Sequence, residues 1–200
     1  MTYPQKTFDI SALEGISPKQ VEAHLGLYAG YVKHVNLILS MLAVHGKTDD
    51  EGGKYSLAEL RRRFAFEFDG MRMHEYYFEQ FEGGPAPLAT SGPLADAAKE
   101  KYGGTDELVA HIKEVAGSRG TGWAVVYWDA RGKTLHTVFV GDHEVGQLAG
   151  LPIVLALDLW EHAFMVDYLP AQKKDYVDAF FANLNGDVVE KRFANTMSAA

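Results

Sequence analysis

The sequence predicts an α+β protein, in which an N-terminal helical hairpin is followed by an α/β domain with a small three-stranded antiparallel sheet. Three observations predict this fold class. Apolar residues in the first part of the chain recur at the three- and four-residue spacing of helices. A stretch dense in Gly and Pro covers residues 83–93, and β-rich runs follow only after it. We therefore predict two domains, residues 1–85 and 90–200.

The first helix of the predicted hairpin begins after Ser17, a suitable N-cap before Pro18, and ends near His45. Its apolar positions, such as Val21 and Leu25, keep the spacing of one helix face. Residues 46–54 are rich in Gly and charge and break the helix.

The second helix of the hairpin covers the stretch from Ser56 to Phe81. Ser56 and Glu59 form the pattern of a capping box, which predicts the start of this helix. Gly70 lies inside the stretch, where it indicates either close packing or a shift between two helices.

Three further helices are predicted in the second half of the chain. Two of them cover residues 94–104 and 105–120, with Thr105 as the cap of the second. The last one returns after the strands and includes residues 176–192.

The predicted sheet lies between these helices. Residues 123–142 contain two β-rich runs around a turn at 130–132. Residues 151–158 add a short apolar run that ends on the carboxylate of Asp158.

Charge and composition argue against several classes of protein. The chain has a net charge of -8, and its basic residues are scattered apart from Arg61, Arg62 and Arg63, so we expect no nucleic-acid partner. It lacks both a long apolar run and a signal-peptide pattern, so we expect a cytoplasmic protein with no membrane partner. Since it contains no cysteine, any metal must be held by His, Asp or Glu.

A carboxylate and an imidazole stand four residues apart at the end of the last predicted strand, in Asp158-Leu159-Trp160-Glu161-His162. A buried charge is costly unless it is paired or bound to a metal, so Asp158 at the end of a core strand needs such a partner, and a metal ligand is one interpretation. A helix N-cap Asp beside a hydrogen-bonded His is the alternative. Spacing alone leaves both interpretations open.

The segment from Asp158 to Phe164, with Asp167-Tyr168 after it, closely resembles the signature of the iron/manganese superoxide dismutases. Other segments match in the same order over nearly the whole chain, including Gly83-Gly84 and the residues up to Trp123. The resemblance implies a superoxide dismutase with one Fe or Mn ion per chain and superoxide as its substrate. It implies four metal ligands: His24, His74, Asp158 and His162.

The resemblance also implies a donor to the metal-bound solvent, supplied in this family by a Gln or His at one of two places. Gly70 occupies the first place and has no side chain, so His143 at the second place is the candidate, with Gln147 as the alternative. Such a donor tunes the metal's redox potential. The residues implied to surround the site and keep it dry are Tyr77, Phe78, Trp123 and Trp160.

Family members usually carry a Tyr eight residues after the first ligand, where it guards the substrate channel. Here that position is Val32, with Tyr31 one residue early and Tyr28 four after His24. A one-residue deletion would account for this, so Tyr31 is the predicted gate and Tyr28 the alternative.

Glu161 resembles the family residue that reaches the last His ligand of a partner subunit, and a homodimer is therefore expected. Met165 stands where a bridging Tyr is common, and Gly186 where a Trp is usual.

Two other functions stay open at this point. Two His and one Asp can form the facial triad of a non-haem iron oxygenase. The altered channel residues would also suit a dismutase-like metal-binding protein with lost or altered activity.

Overall fold

The computed structural model describes residues 2–46 and 49–198, without the side chains of His45 and Ser198. It confirms the α+β fold, with helices first and a three-stranded antiparallel sheet in the second half. Two short 3-10 turns follow the sheet at Glu161–Ala163 and Pro170–Gln172. The helices and strands are α1 (Pro18–His45), α2 (Glu51–Glu79), α3 (Pro93–Tyr102), α4 (Thr105–Ala116), β1 (Gly122–Asp129), β2 (Thr134–Gly141), β3 (Ile153–Asp158), α5 (Lys173–Asn183) and α6 (Gly186–Ser198).

Helix α1 starts where it was predicted to start. The Ser17 side chain accepts a hydrogen bond from the Gln20 backbone N–H, and Pro18 occupies the first turn. Of the predicted break at 46–54, Lys47 and Thr48 lie outside the described residues.

Helix α2 starts five residues earlier than predicted, so the capping box at Ser56 and Glu59 is wrong. Asp50 is the N-cap, and its carboxylate accepts from the Gly53 N–H at 2.8 Å. A charged oxygen at the positive end of a helix is a strong cap, and it outweighs the low helix propensity of the two glycines that follow. The Ser56 hydroxyl instead donates to the Gly52 carbonyl within the helix.

Gly70 marks close packing and not a break, because α2 runs through it without interruption. A Cβ placed on Gly70 would lie 2.6 Å from the ring of Tyr31 on α1. The missing side chain therefore allows the two long helices to pack with the Tyr31 ring between them.

Two details of the later helices differ from the prediction. Gly104, and not Thr105, is the N-cap of α4, and Thr105 is its first residue. The predicted last helix is two helices that break at residues 184–185, where the Asn185 side chain accepts from the Asp187 N–H. Gly186 begins α6 against the backbone of Pro87, where a Cβ would lie 2.4 Å from the carbonyl oxygen.

The sheet has the order β2-β1-β3, and both strand pairs are antiparallel. The β1–β2 hairpin has the turn predicted at 130–132. In the β1–β3 pair, Trp123 lies opposite Asp158, which places the indole beside the carboxylate at the end of the sheet.

The end of α2 is joined to β3 through Gln80. The fully buried amide of Gln80 donates to the Ala156 carbonyl at 2.8 Å and accepts from the Ala156 N–H at 2.9 Å. Since β3 is an edge strand, this side chain pairs backbone groups that the sheet leaves open. His74 and Asp158 are thereby held at a set distance from each other.

Within the described residues, one helical segment, Pro18–Val44, is long and apolar enough to cross a membrane. The core helix of a soluble protein passes the same test. Tyr28, Val32 and Val35 from this segment are buried in the core, and the helix packs along α2.

Candidate metal centre

Four side chains from four parts of the fold meet at one point. His24 comes from α1, His74 from α2, Asp158 from the end of β3, and His162 from the 3-10 turn that follows. One potential ligand atom from each lies within 4.8 Å of all the others. The side chains of the first three are buried, and that of His162 is 17% exposed.

The three imidazoles are arranged around a single carboxylate oxygen. Oδ2 of Asp158 lies 3.0 Å from Nε2 of His24, 3.3 Å from Nε2 of His162 and 3.6 Å from Nε2 of His74. The other oxygen, Oδ1, accepts a hydrogen bond from the Trp160 backbone N–H at 2.8 Å. This orients the carboxylate so that Oδ2 faces the histidines.

The protonation state of His74 follows from its backbone partner. Its Nδ1 lies 2.6 Å from the Gly70 carbonyl oxygen, which can only accept, so Nδ1 carries the proton. Nε2 then directs a lone pair at the centre of the cluster, 3.3 Å from Nε2 of His162 and towards the carboxylate. Electron-rich atoms that converge in this way suit a cation between them.

Burial and charge favour the ligand forms of these groups. Burial lowers the pKa of His24 and lowers that of His74 well below its ordinary value, so both imidazoles are neutral at pH 7. Burial acts to raise the pKa of Asp158, but the charge and hydrogen bonds of His162 and His24 outweigh it and leave that pKa lowered. An ionised carboxylate with imidazole nitrogens around it is a donor set that suits a divalent or trivalent iron or manganese ion.

His143 lies beside the cluster and joins two predicted site residues. The indole of Trp123 can only donate, and it donates to Nδ1 of His143 at 3.0 Å. Burial lowers the pKa of His143 to about 4, so its ring is neutral at pH 7 and carries its one proton on Nε2. That N–H donates to the Tyr31 hydroxyl oxygen at 2.7 Å. The Tyr31 proton is therefore directed away from His143.

The structure separates the two gate candidates. The Tyr31 ring lies 5.1 Å from that of His74 and 4.8 Å from that of His143. The Tyr28 hydroxyl instead donates to Glu75 at 3.1 Å and accepts from the Lys6 N–H, among core rings on another side of α1. Tyr31 is thus the tyrosine that adjoins the cluster through His143.

Gln147 does not face the cluster. Its amide oxygen accepts from the Tyr127 hydroxyl, and its amide nitrogen donates to the His143 carbonyl at 2.8 Å. It supports the loop that carries His143.

The other residues that the family resemblance places around the site also lie close to the cluster. Tyr77 and Phe78 pack on the His24 ring, and Trp160 stacks on both His143 and His162. The Trp123 ring lies 5.2 Å from that of His74. Aromatic rings on several sides keep bulk water from the cluster.

Glu161 is exposed, and its side chain has no hydrogen bond or ion pair to the described part of this chain. Next to it, Met165, Val166 and Leu169 are also exposed, by 45%, 43% and 68%.

Sequence reasoning missed three residues around the site, two of which hold residues of the cluster in place. Gln20 donates to the His162 carbonyl at 2.6 Å, and Tyr176 donates to that of Asp158 at 2.8 Å. Phe66 packs on the ring of His143. Only Gln20 had a signal, because it lies one helical turn before His24 on the same face.

Fold and site together define a protein with a cluster of three His and one Asp that could hold one metal ion, located where two long helices meet the end of a small sheet. Residues 90–192 match the family model of the C-terminal domain of iron/manganese superoxide dismutases. The chain belongs to the iron/manganese superoxide dismutase family.

Individual relatives match over almost the full chain. A protein named "Superoxide dismutase [Fe]" from Saccharolobus solfataricus is 34% identical over 94% of this chain and 91% of its own length. "Superoxide dismutase [Mn/Fe]" from Propionibacterium freudenreichii is 33% identical, with 99% and 98% covered. "Superoxide dismutase [Mn]" from Mycobacterium avium is 33% identical, with 100% and 95% covered.

Proposed function

We propose that this protein is a superoxide dismutase with one Fe or Mn ion per chain, held by His24, His74, Asp158 and His162. The observation that carries the proposal is the convergence of three imidazole nitrogens on one buried carboxylate oxygen. Such an ion supplies one-electron redox chemistry between the trivalent and divalent states, by which two superoxide ions and two protons yield dioxygen and hydrogen peroxide.

The residues next to the proposed ligands orient a proton towards the centre and exclude water from it. Because His143 donates its single N–H to Tyr31, the tyrosine hydroxyl is free to donate its own proton towards the centre. Burial raises the pKa of Tyr31, which keeps the hydroxyl protonated at neutral pH. We infer that Tyr31 presents the proton and that His143 and Trp123 set its direction.

The sequence-based role of His143 as a direct donor to metal-bound solvent requires that its N–H leave Tyr31. Both ring nitrogens have protein partners in the structure, at 3.0 Å and 2.7 Å. An imidazole has one N–H when neutral, so His143 can serve Tyr31 or the solvent but not both at once. We propose that it acts on the solvent by way of Tyr31.

Two further proposals concern assembly and location. We propose a homodimer in which Glu161 and the exposed apolar side chains at 165, 166 and 169 face the partner, since an exposed acid beside three exposed apolar residues suits an interface. A monomer with full activity in sedimentation at micromolar concentration would contradict this.

We also propose that the protein is cytoplasmic. Its two proposed domains, residues 1–85 and 90–200, would lie on either side of the metal.

The function is tested by loading the purified protein with Fe or with Mn and measuring superoxide decay after pulse radiolysis. We expect the loaded protein to consume superoxide and His162→Ala to lose both metal and activity. A facial-triad oxygenase would need three protein ligands, whereas the cluster offers four. Full metal loading without superoxide consumption would contradict the proposed reaction. The protein would then be a dismutase-like metal-binding protein with lost or altered activity.

A further inference from the structure

A small cavity lies directly beside the four-residue cluster. Its volume is about 10 Å³, which is room for one small molecule. His24 lines this cavity, whereas Tyr31 and His143 do not. Of the ten described residues that line it, seven are apolar, and the other three are Gln20, His24 and Tyr77. The cavity therefore adjoins a proposed metal ligand away from the residues that orient the proton.

Two of the three polar side chains direct their polar atoms at partners outside this lining or at the cluster. The amide of Gln20 donates to the His162 carbonyl at 2.6 Å and accepts from the Val166 N–H at 2.9 Å. Nε2 of His24 faces the Asp158 carboxylate at 3.0 Å. What these residues present to the cavity is mainly the carbon skeleton of their side chains.

The hydroxyl of Tyr77 is also occupied. Tyr176 gives its proton to the Asp158 carbonyl, so the Tyr77 hydroxyl donates its own proton to the Tyr176 oxygen, at 3.1 Å. A buried water needs two to four polar partners, and this lining has few to offer. The cavity thus suits an apolar molecule better than a water.

A surface groove of about 420 Å³ adjoins the cavity, between the N-terminal segment and the first turns of α1. The groove and the cavity share four lining residues: Ile10, Leu13, Ile16 and Val21. A single layer of apolar side chains therefore separates the cavity from solvent on this side.

Charge makes this side of the molecule suitable for a neutral molecule and unsuitable for an anion. None of the described residues that line the groove or the cavity is Lys or Arg, and Glu22 adds a negative charge at the groove. His24 is neutral at pH 7, because burial lowers its pKa. The net charge of -8 acts in the same direction. Superoxide carries one negative charge, whereas dioxygen is neutral and apolar.

We propose that the cavity beside His24 holds one molecule of dioxygen, with the groove as its opening to solvent. This inference rests on the proposed function, because dismutation forms dioxygen at the adjacent centre. Apolar cavities in proteins stay free of water and take up xenon and other apolar molecules. Since His24 belongs to both the cluster and the cavity lining, this site lies one imidazole ring away from the centre.

The test locates the gas directly in crystals of the metal-loaded protein. One set of crystals is pressurised with xenon, a spherical apolar probe, and another with dioxygen. We expect one xenon atom in contact with the His24 ring, and diatomic density at the same place under dioxygen. An ordered water that remains in the cavity under both gases, or gas found only elsewhere in the molecule, would overturn the inference.

Three variants check that the cavity itself takes up the gas. Val21→Phe adds volume at the wall between cavity and groove and is expected to lose both densities. Val115→Phe, at a partly buried position on α4, is the matched control and should keep both. Ile16→Ala enlarges the cavity and is expected to raise the xenon occupancy, which keeps the test decisive if Val21→Phe does not fold.

Xenon density that is undiminished in a folded Val21→Phe protein would overturn the assignment of the cavity. Xenon occupancy in Ile16→Ala below that of wild type would also overturn it. A loaded wild type that consumes no superoxide would overturn the proposed function, and the gas densities would still decide whether the cavity takes up dioxygen.

Discussion

His143 is the residue whose surroundings say most about the chemistry of the site. Trp123 occupies one ring nitrogen, so the other must donate, and it donates to Tyr31. The same position filled by an amide would have two N–H donors and a carbonyl, and it could serve two acceptors at once. With a histidine at this position, the indole N–H of Trp123 decides which ring nitrogen carries the proton. It therefore also decides that His143 donates to Tyr31.

We predict that His143→Ala keeps its metal but loses activity. His143 is not among the four cluster residues, so metal content should stay near that of wild type. Loss of the partner of Tyr31 is expected to lower the dismutation rate roughly 10- to 100-fold and to shift the redox potential. His136→Ala, on β2 and 38% exposed, is the control and should leave both unchanged. An unaltered rate and potential in His143→Ala would refute the role of His143.

The four cluster residues could be named from the sequence only through the family resemblance, because they lie on four separate elements of the fold. The resemblance also made Tyr31 the predicted gate and left Tyr28 as the alternative. Which tyrosine lies beside the cluster depends on which face of α1 meets α2, and the Tyr31 ring is the one that packs against Gly70 of α2. The His143 tautomer likewise follows from a contact between residues 20 positions apart.

At the scale of elements, the site depends on how α2 is joined to β3. Gln80 ends α2 and pairs both backbone groups of Ala156, two residues before Asp158. Arg192 from α6 donates to the same amide oxygen at 3.3 Å. The distance between His74 and Asp158 is therefore set by contacts outside the metal centre.

We predict that Gln80→Leu destabilises the protein by about 2–4 kcal/mol, because it leaves a buried N–H and a buried C=O without partners. The measurement is the free energy of unfolding in urea. Gln5→Leu is the control, since Gln5 is exposed, and it should change stability by less than about 0.5 kcal/mol. A Gln80→Leu protein as stable as the control would show that the amide does not hold β3.

The order of helices and strands followed from periodicity and turn residues, and their ends were less predictable. Asp50, and not the predicted Ser56, is the N-cap of α2, because a carboxylate before a helix outweighs a capping-box pattern inside it. The break at residues 184–185 depends on hydrogen bonds with residues 80, 82 and 86, over 90 positions earlier in the chain. Contacts between residues so far apart in the chain produce no local sequence pattern from which the break could be predicted.

For the whole molecule, buried neutral histidines make stability depend on pH. Burial lowers the pKa of His24, His74 and His143 in the folded protein below the value of 6.5 expected when unfolded. The unfolded chain therefore binds more protons as pH falls below 6.5, and folding stability is lost in that range. The lowered pKa of Asp158 acts in the same direction at lower pH.

We predict that the metal-free protein loses stability steadily from pH 6.5 to pH 4, as measured by urea unfolding. The contribution of His143, whose folded pKa is about 4 against 6.5 unfolded, is about 3 kcal/mol over this range. His143→Gln should therefore lose about 3 kcal/mol less than wild type between the two pH values. Identical losses in the two proteins would contradict the buried, neutral state of His143.

We propose that four side chains, three His and one Asp, hold one metal ion. This proposal is tested by the ratio of Fe plus Mn to protein in the purified chain, with folding checked by circular dichroism. We predict roughly one ion per chain in wild type and below about 0.1 in Asp158→Ala, because the anionic ligand and the alignment of the imidazoles are both lost. Asp96→Ala, at an exposed position on α3, should bind as wild type does. A folded Asp158→Ala protein that retains one ion per chain, or a wild type from metal-replete cells that holds neither iron nor manganese, would contradict the claim.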